Sequence, residues 1–229
     1  MRVFENGNCW VIEDDLNLSI VEELKAIIKD NLKDLYKNKE GYSTTGKDVD
    51  QYWLIDRRRT LNSMMIGLHG DAIKDPEFYK FEEKYRNEIL NRIKACDLFD
   101  ERKKDKIRFE YINAWSVIGK ESSYHTIHDH NEGIPDGIST ILYLEVPDTN
   151  LDDQPENNIF LVTNVGSKNP YYYKKPNYLQ INPKVGKLLI FPNWVLHGTY
   201  PQTKGTRQTF NIDYRIELEK DKPKPLDYC

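Results

Sequence analysis

At 229 residues the chain is long enough for one domain with a sizeable core. A net charge of −4, with charged side chains of both signs at 31% of the residues, argues against a nucleic-acid clamp or an anionic membrane surface as the main partner. Cys9, Cys96 and Cys229 are odd in number and widely spaced, so they form neither a disulfide framework nor a zinc pattern.

The first ten residues contain no apolar leader, and no apolar run approaches the ~20 residues of a membrane span. The expectation is a cytoplasmic protein in a reducing setting.

In chain order, Arg2 to Glu13 alternates around Val3, Trp10 and Ile12 with a turn at Gly7-Asn8, and predicts a short strand or hairpin. Ser19 with Glu22 forms a capping box, so a helix is expected to begin there. Ile20, Leu24, Ile27, Ile28, Leu32 and Leu35 give that helix one apolar face, with an end near Lys39. Gly41 to Asp50 reads as polar loop, and Tyr52 to Ile55 as a short apolar patch of undecided type.

Arg57 to Arg59 form the one tight cationic cluster, read as a solvated loop or helix start. Thr60 to Leu68 suggests a short helix, and His69, alone among glycines, reads as a satisfied or exposed histidine. Asp75-Pro76 opens a second long helix, with Asp as N-cap and Pro at the first turn. Its stripe of Phe78, Phe81, Tyr85, Ile89, Ile93 and Cys96 reads as core.

Beyond the charged run Glu101 to Lys106 the hydrophobic period changes to two. Strands are predicted at about 107–118, 123–129, 138–146, 158–164, 178–182, 187–191, 195–200 and 206–217, punctuated at Asp136-Gly137, Pro147-Asp148, Asn182-Pro183 and Lys204-Gly205. Eight short strands suggest a jelly roll whose two sheets share one core and leave a mouth at one end. The fold class is therefore an all-β core flanked by N-terminal helices. Residues 1–104 form a mainly helical extension packing on it, and residues 105–218 form the core. Lys220 to Cys229, with two prolines, reads as an extended tail.

Four of the five histidines are His125, His128, His130 and His197. On a strand, residues i and i+2 point the same way, so His128 and His130 offer two imidazoles side by side while Asp129 faces away. His197 would close three corners of a metal site with open positions, the arrangement used by non-haem iron oxygenases. Asp129 is the candidate to orient a ligand histidine from behind. Arg207, Thr209 and Asn211 share one strand face, and the guanidinium is suited to a carboxylate. Tyr143, in an otherwise apolar strand, either packs in the core or reaches the same carboxylate. Trp115 and Trp194 are candidates for a pocket wall, with core packing the plainer reading.

Ile112-Asn113-Ala114-Trp115, His128-Asp129-His130, Ile141 to Leu144, Asn182-Pro183, Gly186 to Pro192, His197 and Arg207 to Asn211 form an ordered series. In this series the chain from about Phe109 to Ile216 resembles the Fe(II)- and 2-oxoglutarate-dependent oxygenases. It looks closest to a small family of such oxygenases from bacteria and marine phages. The resemblance implies a double-stranded β-helix, Fe(II) at His128, His130 and His197, and 2-oxoglutarate held by Arg207 with Tyr143 and Asn211 assisting.

The chain departs from the superfamily at the second ligand, where His-x-Asp or His-x-Glu is usual and His130 stands instead. The register His130-Asn131-Glu132 would restore His-x-Glu. The function implied is a 2-oxoglutarate-dependent dioxygenase, a hydroxylase of a small molecule or peptide, with nucleic acid less favoured. Two alternatives stand beside it: a cupin-type metal site working without 2-oxoglutarate, and a catalytically silent binding module.

Overall fold

The computed structural model describes residues 1–6, 9–37, 47–56, 70–71, 73–99, 104, 106–130, 137–147, 159–162, 178–202 and 204–218. The Gly7-Asn8 turn, the Arg57 to Arg59 cluster, the expected helix at 60–68, His69, the alternative ligand Glu132 and the C-terminal tail lie outside these residues.

Strands β1 (Arg2–Asn6) and β2 (Cys9–Asp15) form the expected hairpin, with Asn6 opposite Cys9. Helix α1 (Leu18–Asn31) begins two residues before the predicted box, because the Asn17 side chain accepts from the Ser19 N–H at 3.0 Å. It also ends well before Lys39. The Asn31 amide turns back onto the Ile27 carbonyl at 2.9 Å and donates to Asp75 at 2.8 Å. That ties the end of α1 to the N-cap of α2 (Pro76–Ala95). Leu35 stays buried beyond the helix, so the apolar spacing outlasts the helical backbone. A two-residue strand, β3 (Tyr36–Lys37), follows.

The next element corrects the loop expected up to Asp50. Residues Lys47–Asp56 form one strand, β4, with β3 and the short β5 (Gly70–Asp71) paired on it. The acidic residues Asp48 and Asp50 disguise this strand, and pairing with a long neighbour overrides their poor strand propensity. That neighbour is β6 (Ile107–Tyr124), one 18-residue strand where two were predicted. β7 (Gly137–Glu145), β8 (Ile159–Val162), β9 (Tyr178–Ile181), β10 (Lys187–Pro192), β11 (His197–Thr199) and β12 (Arg207–Leu218) follow near their predicted places.

The large antiparallel sheet runs β1-β2-β10-β7-β12-β6-β4-β3, and a small one runs β11-β8-β9. Residues 122–130 lie along the free side of β11. Backbone bonds join Ser122 and Ser123 to Gln202, His125 to Thr199, His128 to His197, and His130 to Asn193. This segment completes the second layer of the double-stranded β-helix. Five strands from the first hundred residues, β1 to β5, extend the large sheet, so the N-terminal region contributes sheet as well as helix.

Apolar side chains fill both faces of the large sheet, one under the helices and one between the two sheets. On one face of the large sheet, Phe78, Phe81, Tyr85, Ile89 and Ile93 of α2 join Leu24 and Ile28 of α1 over Leu142, Ile190, Phe210, Ile212 and Tyr214. Phe210 meets the rings of Phe78, Phe81 and Tyr85 edge-on at 5.7–6.4 Å. Truncating such a ring costs about 3–5 kcal/mol. On the other face, Val11, Ile141, Leu189 and Phe191 pack against Ile159, Leu161 and Ile181 of the small sheet. Alternation along β12 therefore sends Phe210, Ile212 and Tyr214 to the helices, and Arg207, Thr209, Asn211 and Asp213 to the space between the sheets.

Candidate metal centre

His128, His130 and His197 converge at the mouth between the two sheets. Each offers a ring nitrogen, and these atoms lie within 4.8 Å of one another. The ring centroids are 4.4 Å apart for His128 and His197, 4.8 Å for His130 and His197, and 5.3 Å for His128 and His130. His128 and His130 do not sit on a continuous strand as expected. They lie on an extended segment held by a single bridge, and the alternation that puts them on one side survives.

The other nitrogen of each ring is occupied. Nδ1 of His128 meets the Thr126 carbonyl at 2.7 Å, and Nδ1 of His197 meets the Val195 carbonyl at 2.9 Å. Nδ1 of His130 lies 3.0 Å from a carboxylate oxygen of Asp213 and 3.0 Å from the Ser139 hydroxyl. Carbonyl and carboxylate oxygens only accept, so each Nδ1 carries the hydrogen and each Nε2 keeps a lone pair. That is the tautomer a metal ligand needs. Burial, and then the neighbouring imidazole of His130, holds His128 below the ordinary histidine range. Burial first, and then both neighbouring rings, holds His197 well below it. Both are therefore neutral at pH 7, the form that binds metal. The donor set fits a divalent transition metal with open positions.

The carboxylate behind the histidines is Asp213, where the sequence suggested Asp129; Asp129 is exposed. Asp213 lies two residues beyond Asn211 on the face that carries Arg207, so the period of two along β12 was the signal that could have found it.

Arg207 is buried, and its guanidinium donates to Thr199 Oγ1 at 3.0 Å. Thr199 stands two residues beyond His197 on β11 and also accepts from the His125 N–H at 2.9 Å, so it joins the arginine to the histidine-bearing segment. Burial lowers Arg207 from its ordinary value, and the Tyr143 phenol opposes that. Tyr143, 1% exposed, points to the same face, with its pKa pushed up to about 12 by burial. Asn211 is on this face too, but its amide donates to Thr209 and to the Trp115 carbonyl.

Trp115 packs edge-on against His130 at 5.1 Å and at a tilt against Trp53 of β4 at 5.2 Å, so it walls the site from the side. Trp53 was not singled out from the sequence. Trp194 is 41% exposed. His125 is a neighbour of His128, at 5.9 Å between rings, and its Nε2 is buried without a partner among the described residues.

Residues 113–213 match the family model described as "Putative 2OG-Fe(II) oxygenase". This stretch, under half of the chain, is thus similar in sequence to that oxygenase family. Solved structures carry the same fold at low identity. An oxidoreductase of the 2OG-Fe(II) oxygenase family from Burkholderia pseudomallei has a TM-score of 0.58 at 10% identity, covering 90% of this chain and 84% of that one. A Pseudomonas putida prolyl-4-hydroxylase has 0.55 at 12%, covering 90% and 91%. A prolyl hydroxylase from Trichoplax adhaerens, in complex with a hypoxia inducible factor peptide, has 0.55 at 13%, covering 92% and 84%. No curated protein matches the chain in sequence. Fe(II) and 2-oxoglutarate are the metal and cosubstrate in that family's description, and the three histidines could hold such a metal. Among the described residues no helix is long and apolar enough to cross a membrane.

Proposed function

We propose that the protein is an Fe(II)- and 2-oxoglutarate-dependent dioxygenase that hydroxylates a small molecule or peptide. In this reading His128, His130 and His197 hold the iron, and Arg207 binds the distal carboxylate of 2-oxoglutarate with Tyr143 beside it. The observation that carries the reading is the buried arginine linked through Thr199 to the strand of His197, next to three imidazoles in the metal-binding tautomer. Asn211 supports this wall by fixing Thr209, so its part is to position neighbours rather than to reach the cosubstrate first.

When bound, iron and 2-oxoglutarate supply the activation of O₂ and the oxidising power, and 2-oxoglutarate leaves as succinate and CO₂. The chain's own residues bind and orient. The Arg207 guanidinium offers two parallel N–H donors to a carboxylate, in a setting where burial strengthens the interaction. The Tyr143 phenol stays protonated at every working pH and so can only donate to an anion there. Trp115 and Phe191 close two sides of the metal site, Phe191 at 5.0 Å from the His197 ring, and exclude water from it. A three-imidazole set places no carboxylate directly on the metal, which favours the approach of a dianionic cosubstrate.

The test is succinate release from 2-oxoglutarate with Fe(II) and O₂, read across panels of metabolites and peptides, with metal analysis of the loaded protein. One iron per chain and succinate formation dependent on Arg207 are expected. Iron binding with succinate at background would instead favour a three-histidine site that works without 2-oxoglutarate.

A further inference from the structure

Asp213 is 1% exposed, and it sits behind the one histidine that occupies an unusual place in the motif. Its Oδ1 lies 3.0 Å from His130 Nδ1 and accepts from the Ser139 hydroxyl at 2.7 Å, and its Oδ2 faces the Asn113 amide at 3.5 Å. Among the described residues its ion-pair partner is His130 alone, and no Lys or Arg reaches it. A buried carboxylate without a cation is costly, and a neutral imidazole offers only a hydrogen bond. The charge lacks a full counterpart until a cation binds on the far side of the ring.

The strand register makes this placement specific. A bulge in the pairing of β12 with β6 falls immediately after Asp213, which leaves Asp213 opposite both Asn113 and Ser139, two of its side-chain donors.

We infer that Asp213 supplies through His130 the negative charge that a His-x-Asp or His-x-Glu motif supplies as a direct metal ligand, so that histidine at 130 and aspartate at 213 are a matched pair. The carboxylate stands one imidazole further from the metal. It fixes the ring plane, holds the hydrogen on Nδ1 and raises the donor strength of Nε2. The inference rests on the proposed metal site and goes beyond it. It also predicts that aspartate at 130 alone would bind metal poorly, because a second carboxylate would then stand beside the buried Asp213.

The experiment is Co(II) and Fe(II) binding to the full chain by anaerobic calorimetry without 2-oxoglutarate, with the Co(II) absorption bands recorded and folding checked by circular dichroism. Asp213→Asn keeps the shape and removes the charge, and is expected to weaken metal binding by about 10–100-fold and to shift the Co(II) bands. His130→Asp alone is expected to bind poorly, and His130→Asp with Asp213→Asn to recover at least about tenfold over His130→Asp, within the range second-sphere partners command. If Asp213→Asn fails to fold, Ser139→Ala, which frees the carboxylate from its strongest donor, is expected to weaken binding several-fold.

Wild-type affinity in a folded Asp213→Asn or Ser139→Ala, or a double variant no better than His130→Asp, would overturn the inference; a purely structural Asp213 would lower thermal stability without moving the metal dissociation constant. His128→Ala with His197→Ala tests the underlying reading separately. Unchanged metal stoichiometry there would remove the site itself, whatever Asp213 does.

Discussion

His128 and His197 are bound to each other through the main chain in both directions, the N–H of each donating to the carbonyl of the other at 2.9 Å. Two imidazoles far apart in sequence are thereby set in one frame before any metal arrives. What keeps the frame close is Gly198. A Cβ there would meet Phe160 Cζ at 2.7 Å, the His125 carbonyl at 3.0 Å and the Thr126 carbonyl at 3.2 Å. Two of those atoms are main chain and belong to the segment that carries His128.

Gly198→Ala should therefore push the 125–130 segment away from β11. Overpacking of this kind costs about 1–3 kcal/mol. The expected result is a protein that still folds, with a lower melting temperature and metal affinity reduced by about tenfold or more. Calorimetry beside thermal denaturation checks it; a loss of stability with wild-type metal affinity would show that the segment does not move.

Arg207→Ala should raise the 2-oxoglutarate dissociation constant by about tenfold or more, since a charged hydrogen bond is worth about 1.5–3 kcal/mol. Arg207→Lys keeps the charge and loses the fork, and should fall between the two. Iron stoichiometry should be unchanged in both. Titration of 2-oxoglutarate into the Fe(II)-loaded protein without oxygen decides, and wild-type affinity in Arg207→Ala would place the clamp elsewhere.

Burial lowers His197 below the ordinary histidine value of 6.5, as it does His125. Between the folded pKa and 6.5 the unfolded chain binds more protons than the folded one, so stability rises with pH across that window. The metal-free protein should thus be most stable above about pH 6.5 and lose stability as pH falls below it, as thermal denaturation from pH 8 to 5 would show. A flat profile would contradict the burial of these rings.

Glu82 behaves in the opposite sense. Burial under α2 raises its pKa, and Arg86 at 3.6 Å only partly offsets this. Its folded pKa lies above the unfolded value of 4.5, so its contribution is present at low pH and lost as pH rises through the folded pKa. Glu82→Gln, which removes the buried charge and keeps the shape, should raise the melting temperature at pH 7.5 and change it little at pH 4. Denaturation at the two pH values is the check, and equal shifts at both would refute it.

The fold was legible where one face of an element carried one kind of residue. The stripe of α2, with Asp75-Pro76 at its start, fixed that helix, and the alternation from Ile107 onward fixed the strands. β4 was hidden because its first half is polar and its partner lies sixty residues away. The end of α1 was hidden because Asn31 stops it through a bond to Asp75, a contact that local spacing cannot reveal. His128, His130, His197 and Arg207 could be grouped from their spacing taken together with the family resemblance, and the structure brings the three histidines together. Asp213 and Thr199 could not, because each acts through another residue and matters only once strands are placed side by side.

The division of labour along β12 makes this strand intolerant of indels in a specific way. One added or deleted residue near Thr209 would exchange its two sets of side chains, sending Phe210 and Ile212 toward the candidate metal site and Asn211 and Asp213 into the aromatic cluster under the helices. Both the face that lines the candidate site and the structural face would be lost in one event, whereas a two-residue change would preserve the phase. Among homologues of this chain, length variation should therefore collect in the connections on either side of Arg207–Leu218, while the strand itself keeps an unbroken count from the arginine to Asp213.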